Sequence, residues 1–510
     1  MRVKLLKIRH GSIMINTLII VFFLIATGTA FMMWAVDESY QADFDLARTQ
    51  AYYVAQYGIL SQVLKTMRTR TQNALPAGYE RLTDGTWNLE ASSESIGSFV
   101  DAGIRRVDSN QDVNIFQTIN QYDLEASGRV AVGGPFGQVT TIEREVSMRT
   151  QLRTYASYMY LTNEETTMFN EIIWFWTPDT LYGRVHSNSQ IGIKFAPQFL
   201  GPISTTEDRF VYFSANPYFA FDPVFNAPHV YFPSTAENLR GGAASGGTFF
   251  TNQDGAVQSR LRGLNGGWFL EQWSAGIPYD SSRIDNSVSI SYGSNVAIFI
   301  EGNCQLAASM GQHPTGFGGI NGVIHGSVTV GTSGDLELWD NVIYSSYNAN
   351  TIPDTFPSEY GDICGLVSEG RILIKDVDPN GRGDGRSQPG GHNRQHIVIT
   401  AAMVALGESF TFEHQNDSWN TYVWCTCPGE HCGQSDERGS IWLRGAVTQM
   451  RRGYVHRSNC GGSGYAKDYY YDFRLETTPP PFYLEATDDE GASLFDIVWW
   501  KEHDPHDGRP

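Results

Sequence analysis

A short acidic loop is the sharpest chemical motif in this sequence. Its first, third, fifth, seventh and ninth residues are Asp376, Asp378, Asn380, Arg382 and Asp384, and a glycine stands at the sixth. Side-chain oxygens at the odd positions, with a backbone carbonyl at the seventh, are the ligands of a calcium loop. The twelfth residue is serine instead of the glutamate of an EF-hand. We therefore predict a Ca²⁺ site here, with an acidic surface turn as the alternative.

Cysteine is the second residue type whose spacing suggests chemistry. The six cysteines are Cys304, Cys364, Cys425, Cys427, Cys432 and Cys460. The last four could hold a tetrahedral metal, but they lack the paired C-x2–4-C spacing that is usual for zinc. An even number of cysteines outside the cytoplasm favours disulfides, so all six are disulfide candidates. We predict that Cys425 and Cys427 bond to Cys432 and Cys460, in either order, and we keep a zinc site as the alternative.

Carboxylates beside an aromatic residue raise the question of glycoside hydrolysis. Asp335, Glu337 and Asp340 fall within one predicted strand region, and Trp339 shares a face with Glu337. Two carboxylates that flank a sugar can cleave a glycosidic bond, so a polysaccharide-active enzyme is one alternative. His186 is followed by a serine, but a base and its nucleophile must meet in space. Because the sequence contains no G-x-S-x-G, H-E-x-x-H, G-x-G-x-x-G or phosphate-loop motif, we predict no catalytic residues and no enzyme activity.

The composition excludes one class of partner and indicates a folded chain. The 510 residues include 36 Lys and Arg against 55 Asp and Glu, so the formal net charge is −19. Nucleic-acid binding requires clustered positive charge, and we predict no nucleic-acid partner. Aromatic residues make up 13% of the chain and charged residues 18%, which is the opposite of a disordered sequence. The 52 glycines among 510 residues are about a tenth of the chain, above the usual ~7%. They predict many tight turns.

The amino-terminal segment determines on which side of a membrane these groups lie. A basic leader, residues 1–11, precedes an uncharged apolar stretch from Ile13 to Val36. About 24 residues in a helix cross a ~30 Å hydrocarbon core. Positive charge before the stretch, and Asp37 and Glu38 after it, place the amino terminus in the cytoplasm and the remainder outside. A cleaved secretory signal is the alternative, although its apolar region is normally ~7–15 residues long.

The apolar pattern continues beyond the membrane. Hydrophobic and small residues recur at spacings of three to five from Tyr40 to Val63, and the first helix-breaking sequence is Ala74–Gly78. This spacing is typical of an amphipathic helix. One helix is therefore predicted over residues 12–70, and its second half needs a partner for its apolar side.

A basic leader that ends in glycine, followed by such a helix, resembles a type IV pilin or secretion pseudopilin. The segment Ala51–Gly58 is similar to a helix segment of PilX-type minor pilins. The resemblance implies that a prepilin peptidase cuts between Gly11 and Ser12. Most pilins carry a glutamate where Asn16 stands, so this chain fits a minor or tip subunit better than a shaft subunit. The residues that the resemblance assigns to packing between subunits are Asn16, Ala51, Ala55 and Gly58.

After residue 70 the pattern changes to that of β-strands. Residues 71–154 are predicted to form a small α/β connector, with a short helix from Ile96 to Arg105 and a hairpin of Tyr122–Val132 and Gln138–Leu152. Residues 155–484 contain short aliphatic runs between glycines at intervals of roughly 15–25 residues, which favours an irregular β-solenoid. A β-sandwich with long insertions is the alternative.

Scattered blocks of this body resemble a bacterial family known as domain of unknown function 4900. They are Trp176–Asn188, Arg444–Gly453, Gly464–Arg474 and Pro479–Pro481. The resemblance implies a location in the cell envelope and no particular chemistry. The remaining residues, 485–510, are predicted to be an acidic tail that either docks on a partner or packs back.

Together these features predict a mainly β protein with a long amino-terminal α-helix. It would lie in the bacterial inner membrane, with a cytoplasmic amino terminus and an exported β body. The predicted function is assembly and surface display as a minor or tip subunit of a type IV pilus-like filament or secretion pseudopilus. Its partners would be other pilin-like subunits and the assembly machinery. The alternatives are a permanently anchored adhesive or scaffolding protein and the polysaccharide-active enzyme.

Overall fold

The computed structural model confirms a mainly β chain with one long amino-terminal helix. The residues that it describes are 10–69, 79–88, 95–107, 120–134, 137–167, 171–264, 266–293, 295–307, 324–346, 361–375, 397–413, 436–457 and 463–503.

The amino-terminal helix is continuous from its apolar segment into the folded part of the chain. It consists of α1 (His10–Gly58), a π-helical turn (Ile59–Leu64) and α2 (Lys65–Thr69). The 57 residues that end at Thr69 span about 85 Å at 1.5 Å per residue. The predicted helix is therefore confirmed to within a few residues at either end. Two shorter helices are α3 (Glu237–Gly246) and α4 (Arg474–Thr477).

The strands are numbered in chain order. Those before residue 155 are β1 (Tyr79–Arg81), β2 (Gly85–Asn88), β3 (Ser95–Arg106), β4 (Gln121–Gly133) and β5 (Val139–Leu152). The next group is β6 (Tyr160–Glu164), β7 (Trp174–Phe175), β8 (Thr180–Leu181), β9 (Val185–Ser187), β10 (Gly192–Lys194), β11 (Gln198–Phe199), β12 (Ile203–Thr205), β13 (Val211–Phe213) and β14 (Tyr218–Phe219).

The remaining strands follow α3. They are β15 (Phe249–Thr251), β16 (Val257–Leu264), β17 (Gly267–Ser274), β18 (Asn286–Ser291), β19 (Val296–Glu301), β20 (Cys304–Ala307), β21 (Ser327–Thr332), β22 (Leu336–Leu338), β23 (Ile363–Ser368) and β24 (Ile372–Ile374). The last are β25 (Ile397–Ile399), β26 (Ala402–Ala405), β27 (Phe410–Phe412), β28 (Asp436–Arg444), β29 (Ala446–Arg451), β30 (His456–Arg457), β31 (Ser463–Tyr470) and β32 (Phe495–His503).

An antiparallel sheet forms the surface on which the helix packs. Its strand order is β1–β3–β4–β5–β32, and β2 also pairs with β3. The predicted hairpin is confirmed, because β4 and β5 pair from Gln121 opposite Gln151 to Gly133 opposite Val139. Every second residue of β5 is buried from Ile142 onward. This alternation is expected of a strand with one face on a core.

The predicted helix from Ile96 to Arg105 is wrong, because these residues form most of β3. Glycines at 97 and 103 weaken a helix, and the chain here pairs closely with β4. A Cβ atom at Gly97 would lie 2.5 Å from the carbonyl oxygen of Arg129. Pairing with a neighbouring strand therefore decides the local structure.

Nine parallel strands form the largest sheet of the body. Their order is β12–β9–β6–β29–β26–β23–β21–β19–β15, and each neighbouring pair is parallel. Aliphatic side chains stack in register from strand to strand. One such column is Ile298, Val330, Leu366, Met403 and Val447, and all five are fully buried.

The strands that follow those of the nine-stranded sheet in the chain form further sheets. A second sheet has the order β18–β17–β16–β20–β22–β24–β27, and a third has the order β25–β28–β31–β30. In sequence, β20, β22, β24 and β27 directly follow β19, β21, β23 and β26. In the same way β7, β10 and β13, and then β8, β11 and β14, follow β6, β9 and β12 and form two small parallel sheets. The chain therefore passes through these sheets in the same order several times.

The order of the strands across the nine-stranded sheet differs from their order in the chain. Across the nine-stranded sheet from β15, the strands begin at residues 249, 296, 327, 363, 402 and 446, and then at 160, 185 and 203. The chain thus enters the body in its middle, advances to one end, crosses to the other end through residues 225–248 and returns. Strand β6 is the first strand of this sheet in the chain and β29 is the last. The two lie side by side, with Val447 opposite Tyr160.

Two segments cover the outer face of the nine-stranded sheet. Helix α3 packs on β19 and β21, and its Arg240 donates to Glu369 at 2.8 Å. The segment that follows α4 places Pro480 and Tyr483 against Gly365. All residues of β21 and β23 are buried as a result.

Candidate functional site

The amino-terminal helix is the candidate functional element because its two halves have opposite environments. Residues 13–39 are exposed throughout. The most apolar window of the helix has a mean hydropathy of 2.3 and is 0% buried. A helix of this length and composition can cross a membrane, and a signal sequence shares these properties. Among the described residues nothing covers this apolar surface, and a bilayer would cover it.

The second half of the same helix is packed on the antiparallel sheet. Its buried hydrophobic residues are Ala47, Ala51, Val54, Ala55, Ile59, Val63, Leu64 and Met67. They form one hydrophobic core with the inward-facing residues of β3, β4 and β5. The chain's own sheet is therefore the partner that the amphipathic pattern required.

Small residues let the helix and the sheet approach closely. A Cβ atom at Gly128 in β4 would overlap the carbonyl oxygen of Ala51 and would lie 2.5 Å from the amide nitrogen of Ala55. A Cβ atom at Gly58 would lie 2.9 Å from the side chain of Phe99. Gly128 was not among the residues predicted from the sequence to take part in helix packing. A glycine inside an otherwise alternating strand indicates a close backbone approach, and this signal would have identified it.

Three of the four residues assigned to packing between subunits pack within the chain instead. Ala51 and Ala55 are fully buried, and Gly58 is buried, all against the chain's own sheet. The prediction is corrected for these three, because a surface that the sheet covers cannot contact a second helix. Asn16 lies on the exposed stretch. The predicted cleavage position between Gly11 and Ser12 lies in the first turn of α1.

The carboxyl-terminal part of the chain returns to this helix. Strand β32 pairs with β5 at the edge of the antiparallel sheet. The indole nitrogen of Trp500 donates to the hydroxyl of Tyr52 at 3.1 Å, and Arg68 lies 3.0 Å from Asp488. The predicted acidic tail thus supplies a strand to the sheet that holds the helix.

The cysteines that the structure describes carry free thiols. Cys304 and Cys364 are both buried and unbonded, so the prediction of disulfides is wrong for these two. Burial raises the pKa of the Cys304 thiol to about 12 and also raises the pKa of the Cys364 thiol. Neither is therefore a reactive thiolate near neutral pH. The other four candidates, Cys425, Cys427, Cys432 and Cys460, lie outside the described residues.

The predicted calcium loop also lies outside the described residues. This applies to all five of its candidate ligands, Asp376, Asp378, Asn380, Arg382 and Asp384. Within the described part of the chain, no group of three or more His, Cys, Asp or Glu residues could hold a metal ion. The Ca²⁺ site and the zinc alternative therefore remain predictions.

The three carboxylates considered for glycoside hydrolysis are engaged separately. Arg371 lies 2.6 Å from Asp335, and Lys375 lies 3.7 Å from Glu337. Asp340 is buried, with 1% of its surface exposed. Each of the first two carboxylates is thus held by a cation from the next turn of the body.

A buried hydrogen-bond network surrounds His186. Its Nδ1 lies 2.8 Å from the hydroxyl of Ser204, and its Nε2 lies 3.0 Å from Oδ1 of Asn188. The amide of Asn188 also accepts from the backbone nitrogen of Val230 and donates to its carbonyl oxygen. This orientation makes Nε2 the protonated nitrogen, so Nδ1 accepts from Ser204. The serine that contacts His186 is therefore not its sequence neighbour.

Comparison with known proteins adds no relative to this description. No protein-family model matches the chain, and no curated protein and no solved structure matches it.

Proposed function

We propose that this protein is a pilin-like envelope protein of the bacterial inner membrane and a minor or tip subunit of a type IV pilus-like filament or secretion pseudopilus. One observation carries the proposal. A single continuous helix has an exposed apolar half and a half that is packed on an antiparallel sheet. The first half would hold the chain in the bilayer, and the second joins it to the exported body. A force applied to the helix would therefore move the whole body, as assembly requires.

An outward apolar stripe on the second half of the helix supports lateral packing. Leu46, Tyr53 and Leu60 are 57%, 49% and 55% exposed. They recur every seven residues, which places them on one side of a helix. A neighbouring helix along this stripe would bury it and would extend the contacts of the apolar half. Such a contact replaces the one first assigned to Ala51 and Ala55.

Asn16 supports a position at the end of a filament. It lies on the exposed apolar stretch and carries no charge. A neutral amide cannot form the ion pair that a carboxylate would form with a neighbouring amino terminus. A subunit without this bond is held less firmly inside a filament core, which favours an end position.

We further propose that the exported body is an irregular β-solenoid. Parallel strands in register, buried aliphatic columns and a repeated order of sheets support this architecture. The body is bulky beside a helix of ~10 Å diameter. Its size favours a minor or tip position over a densely packed shaft.

Determination of the amino terminus of the mature protein, purified from its native membrane, tests the proposal. We expect the mature chain to begin at Ser12. Gly11→Val should leave the leader in place and serves as the matched variant. A chain that keeps Met1 without substitution would instead be a permanently anchored protein. A chain that begins far downstream of Ser12 would identify a secretory signal.

Labelling of sheared filaments tests the position of the subunit. We expect immunogold label at filament ends when the protein is coexpressed with the assembly machinery. Leu60→Asp should abolish the label, because it places a charge on the exposed outward stripe. Lys65→Asp changes an exposed residue on another side of the helix and should retain it. Uniform label along shafts, or no label with the unsubstituted protein, would contradict the proposal.

A further inference from the structure

The β body has an open end where three of its sheets stop. Strands β12, β13 and β14 are each the last strand of their sheet, and Val224 forms one more parallel bridge outside β12, opposite Ser204. Strands β13 and β14 and this bridge follow one another in residues 211–225, which we call the end segment. Among the described residues no further strand pairs with the outer side of the end segment. Three strand edges are therefore left without a neighbour at this end of the body.

Two columns of stacked side chains run from the core into this end. In the first, Phe175 and Ile193 are buried, and Tyr212 is the next residue in register and is exposed. The second also begins with buried residues and ends with an exposed one, in the order Leu161, His186, Ser204 and Val224. Inside the body each member of such a column is covered by the next strand of the sheet. Tyr212 and Val224 thus occupy core positions that no following strand covers among the described residues.

Large apolar side chains are exposed together at this end. The end patch consists of seven side chains that are 36% to 57% exposed, namely Phe195, Tyr212, Phe213, Tyr218, Phe221, Val224 and Phe225. Phe210 is buried beneath it, and its ring centroid lies 4.9 Å from that of Phe225 and 6.2 Å from that of Tyr212. Contacts through this central ring make the patch continuous around the end segment.

A lysine connects the remaining part of the end patch. The ammonium nitrogen of Lys194 lies 5.0 Å from the ring centroid of Phe213 and 5.1 Å from that of Phe195. These rings hold the cation by cation–π attraction. The only positive charge that points into the patch is thus already covered by its rings, among the residues that the structure describes.

The other end of the body is closed by polar residues. There the antiparallel strands β17 and β18 continue a sheet beyond β16. Strand β18 is the outermost, and its exposed residues are Asn286, Ser287, Ser289 and Ser291. Stacked bodies need such polar ends to remain soluble. The end patch has no such polar strand outside it, so we expect a partner to cover it.

The size of the end patch matches that of a protein interface. Because an aromatic side chain has roughly 200 Å² of surface, seven half-exposed side chains leave about 700 Å² uncovered. Exposed apolar patches above a few hundred Å² mark interaction sites. A stable interface buries about 800 Å² on each partner, and the end patch with its strand edges supplies this area.

The shape of this end favours a second copy of the same chain. An extended peptide could pair with one strand edge, but the end segment offers three edges that follow one another. The end of a second copy has the same edges and the same apolar side chains, so it could cover all of them at once. Two identical surfaces meet about a two-fold axis, and a strand edge without a neighbour pairs readily with another chain.

The charges around the end patch disfavour a lipid surface as its cover. The exposed charged residues of the adjoining chain, residues 206–226, are Glu207, Asp208, Arg209 and Asp222. Most of them are acidic, whereas the anionic headgroups of a membrane attract basic residues. A protein surface is therefore the better partner.

We propose that two copies of this protein join end to end through the end patch. The strand edges of the end segment pair across the interface, and Tyr212 and Val224 become buried because their columns continue into the second copy. This contact lies on the β body, so it goes beyond the proposed anchoring and assembly through the helix.

Photocrosslinking of the full-length protein tests which surface meets the end segment. The photoreactive p-benzoylphenylalanine replaces Tyr218. Copies with and without a heavy-nitrogen label are then mixed and reconstituted in vesicles of phosphatidylethanolamine and phosphatidylglycerol. Mass spectrometry identifies the peptide attached at position 218, and a pair of different isotopes identifies a second copy. We expect crosslinks of mixed isotope between position 218 and the end segment.

Matched variants test the same contact by sedimentation velocity of the full-length protein in detergent. Val224→Lys brings two like charges to the interface, and we expect it to raise the dimer dissociation constant at least tenfold. Val139→Lys makes the same change at an exposed valine of β5 and should leave the dissociation constant unchanged. Tyr212→Lys is a second test within the end patch and should also raise it at least tenfold. All three residues are exposed, so the circular dichroism spectra of the variants should match that of the unsubstituted protein.

Four results would overturn this interface. They are a protein that stays monomeric, crosslinks to lipid instead of a second copy, crosslinks between copies that lie outside the end segment, and equal dissociation constants for Val224→Lys and Val139→Lys. Association through the amino-terminal helices alone would give the last result. Neither experiment depends on leader cleavage or on filaments, so its failure would leave the proposed assembly function untouched, and the reverse also holds.

Discussion

The buried histidine of the body should make the stability of this protein fall in mild acid. His186 is 3% exposed. Its pKa is lowered from the usual 6.5 to about 4. Burial is the largest cause, the bond to Asn188 opposes the shift, and the positive charges of Arg153 and Arg184 add to it. The imidazole is thus neutral in the folded protein over a range in which the unfolded chain binds a proton.

The sign and size of the effect follow from this difference. Between pH 6.5 and pH 4 the unfolded state binds more protons, so the free energy of unfolding decreases as the pH falls. At about 1.4 kcal/mol per pKa unit, the full loss is about 3 kcal/mol. About 2 kcal/mol of it should already be lost at pH 5. At pH 7 and above both states are neutral at this group, and the stability it contributes is complete.

Chemical denaturation of the full-length protein in detergent, followed by tryptophan fluorescence, measures this loss. The comparison is between pH 7.5 and pH 5 for the unsubstituted protein and for His186→Gln, which cannot take up the proton. We expect His186→Gln to lose about 2 kcal/mol less over this interval. Ser204→Ala keeps the histidine and should keep most of the pH dependence. Equal pH dependence in the unsubstituted protein and His186→Gln would refute the reasoning.

Three other features give further predictions. Glu165→Gln should lower the free energy of unfolding by about 3–5 kcal/mol, because it leaves Arg452 buried without its charge partner. The adjacent Glu164→Gln breaks a half-buried pair with Arg451 and should change the free energy of unfolding by less than about 1 kcal/mol in the same denaturation assay. Gly128→Ala should cost about 3 kcal/mol, because the new Cβ meets the backbone of the helix, whereas Gly133→Ala, with open space around it, should stay within about 0.5 kcal/mol. Similar losses for the two alanine variants would contradict the close approach of helix and sheet. Ellman titration of denatured, unreduced protein should detect at least the two free thiols of Cys304 and Cys364; fewer would contradict their assignment.

Features that depend on spacing within one element could be predicted from the sequence. The apolar stretch Ile13–Val36 predicts a membrane-length helix, and the alternation in Tyr122–Val132 and Gln138–Leu152 predicts the hairpin. Such periodicity is a property of consecutive residues, so it needs no knowledge of the rest of the chain. The segment Ile96–Arg105 shows the limit, because its strand is stabilised by pairing with β4 and not by its own pattern.

The partners of these elements could not be predicted in the same way. The amphipathic pattern identifies the side of the helix that carries Ala51 and Ala55, but it does not distinguish a second subunit from the chain's own sheet. His186 precedes a serine, yet it bonds to Ser204. Parallel stacking brings residues of successive turns together, and the length of each turn is not visible in a local pattern.

The sequence by itself thus determined a membrane-length helix, an alternating hairpin and a glycine-rich β body. Only the tertiary structure decided that the chain enters the body at its middle and that its tail returns to the helix. The same holds for the rings of Tyr182 and Tyr470, which stack although they belong to distant segments. The physical reason is that strand pairing joins segments far apart in the chain, and its register depends on both partners at once.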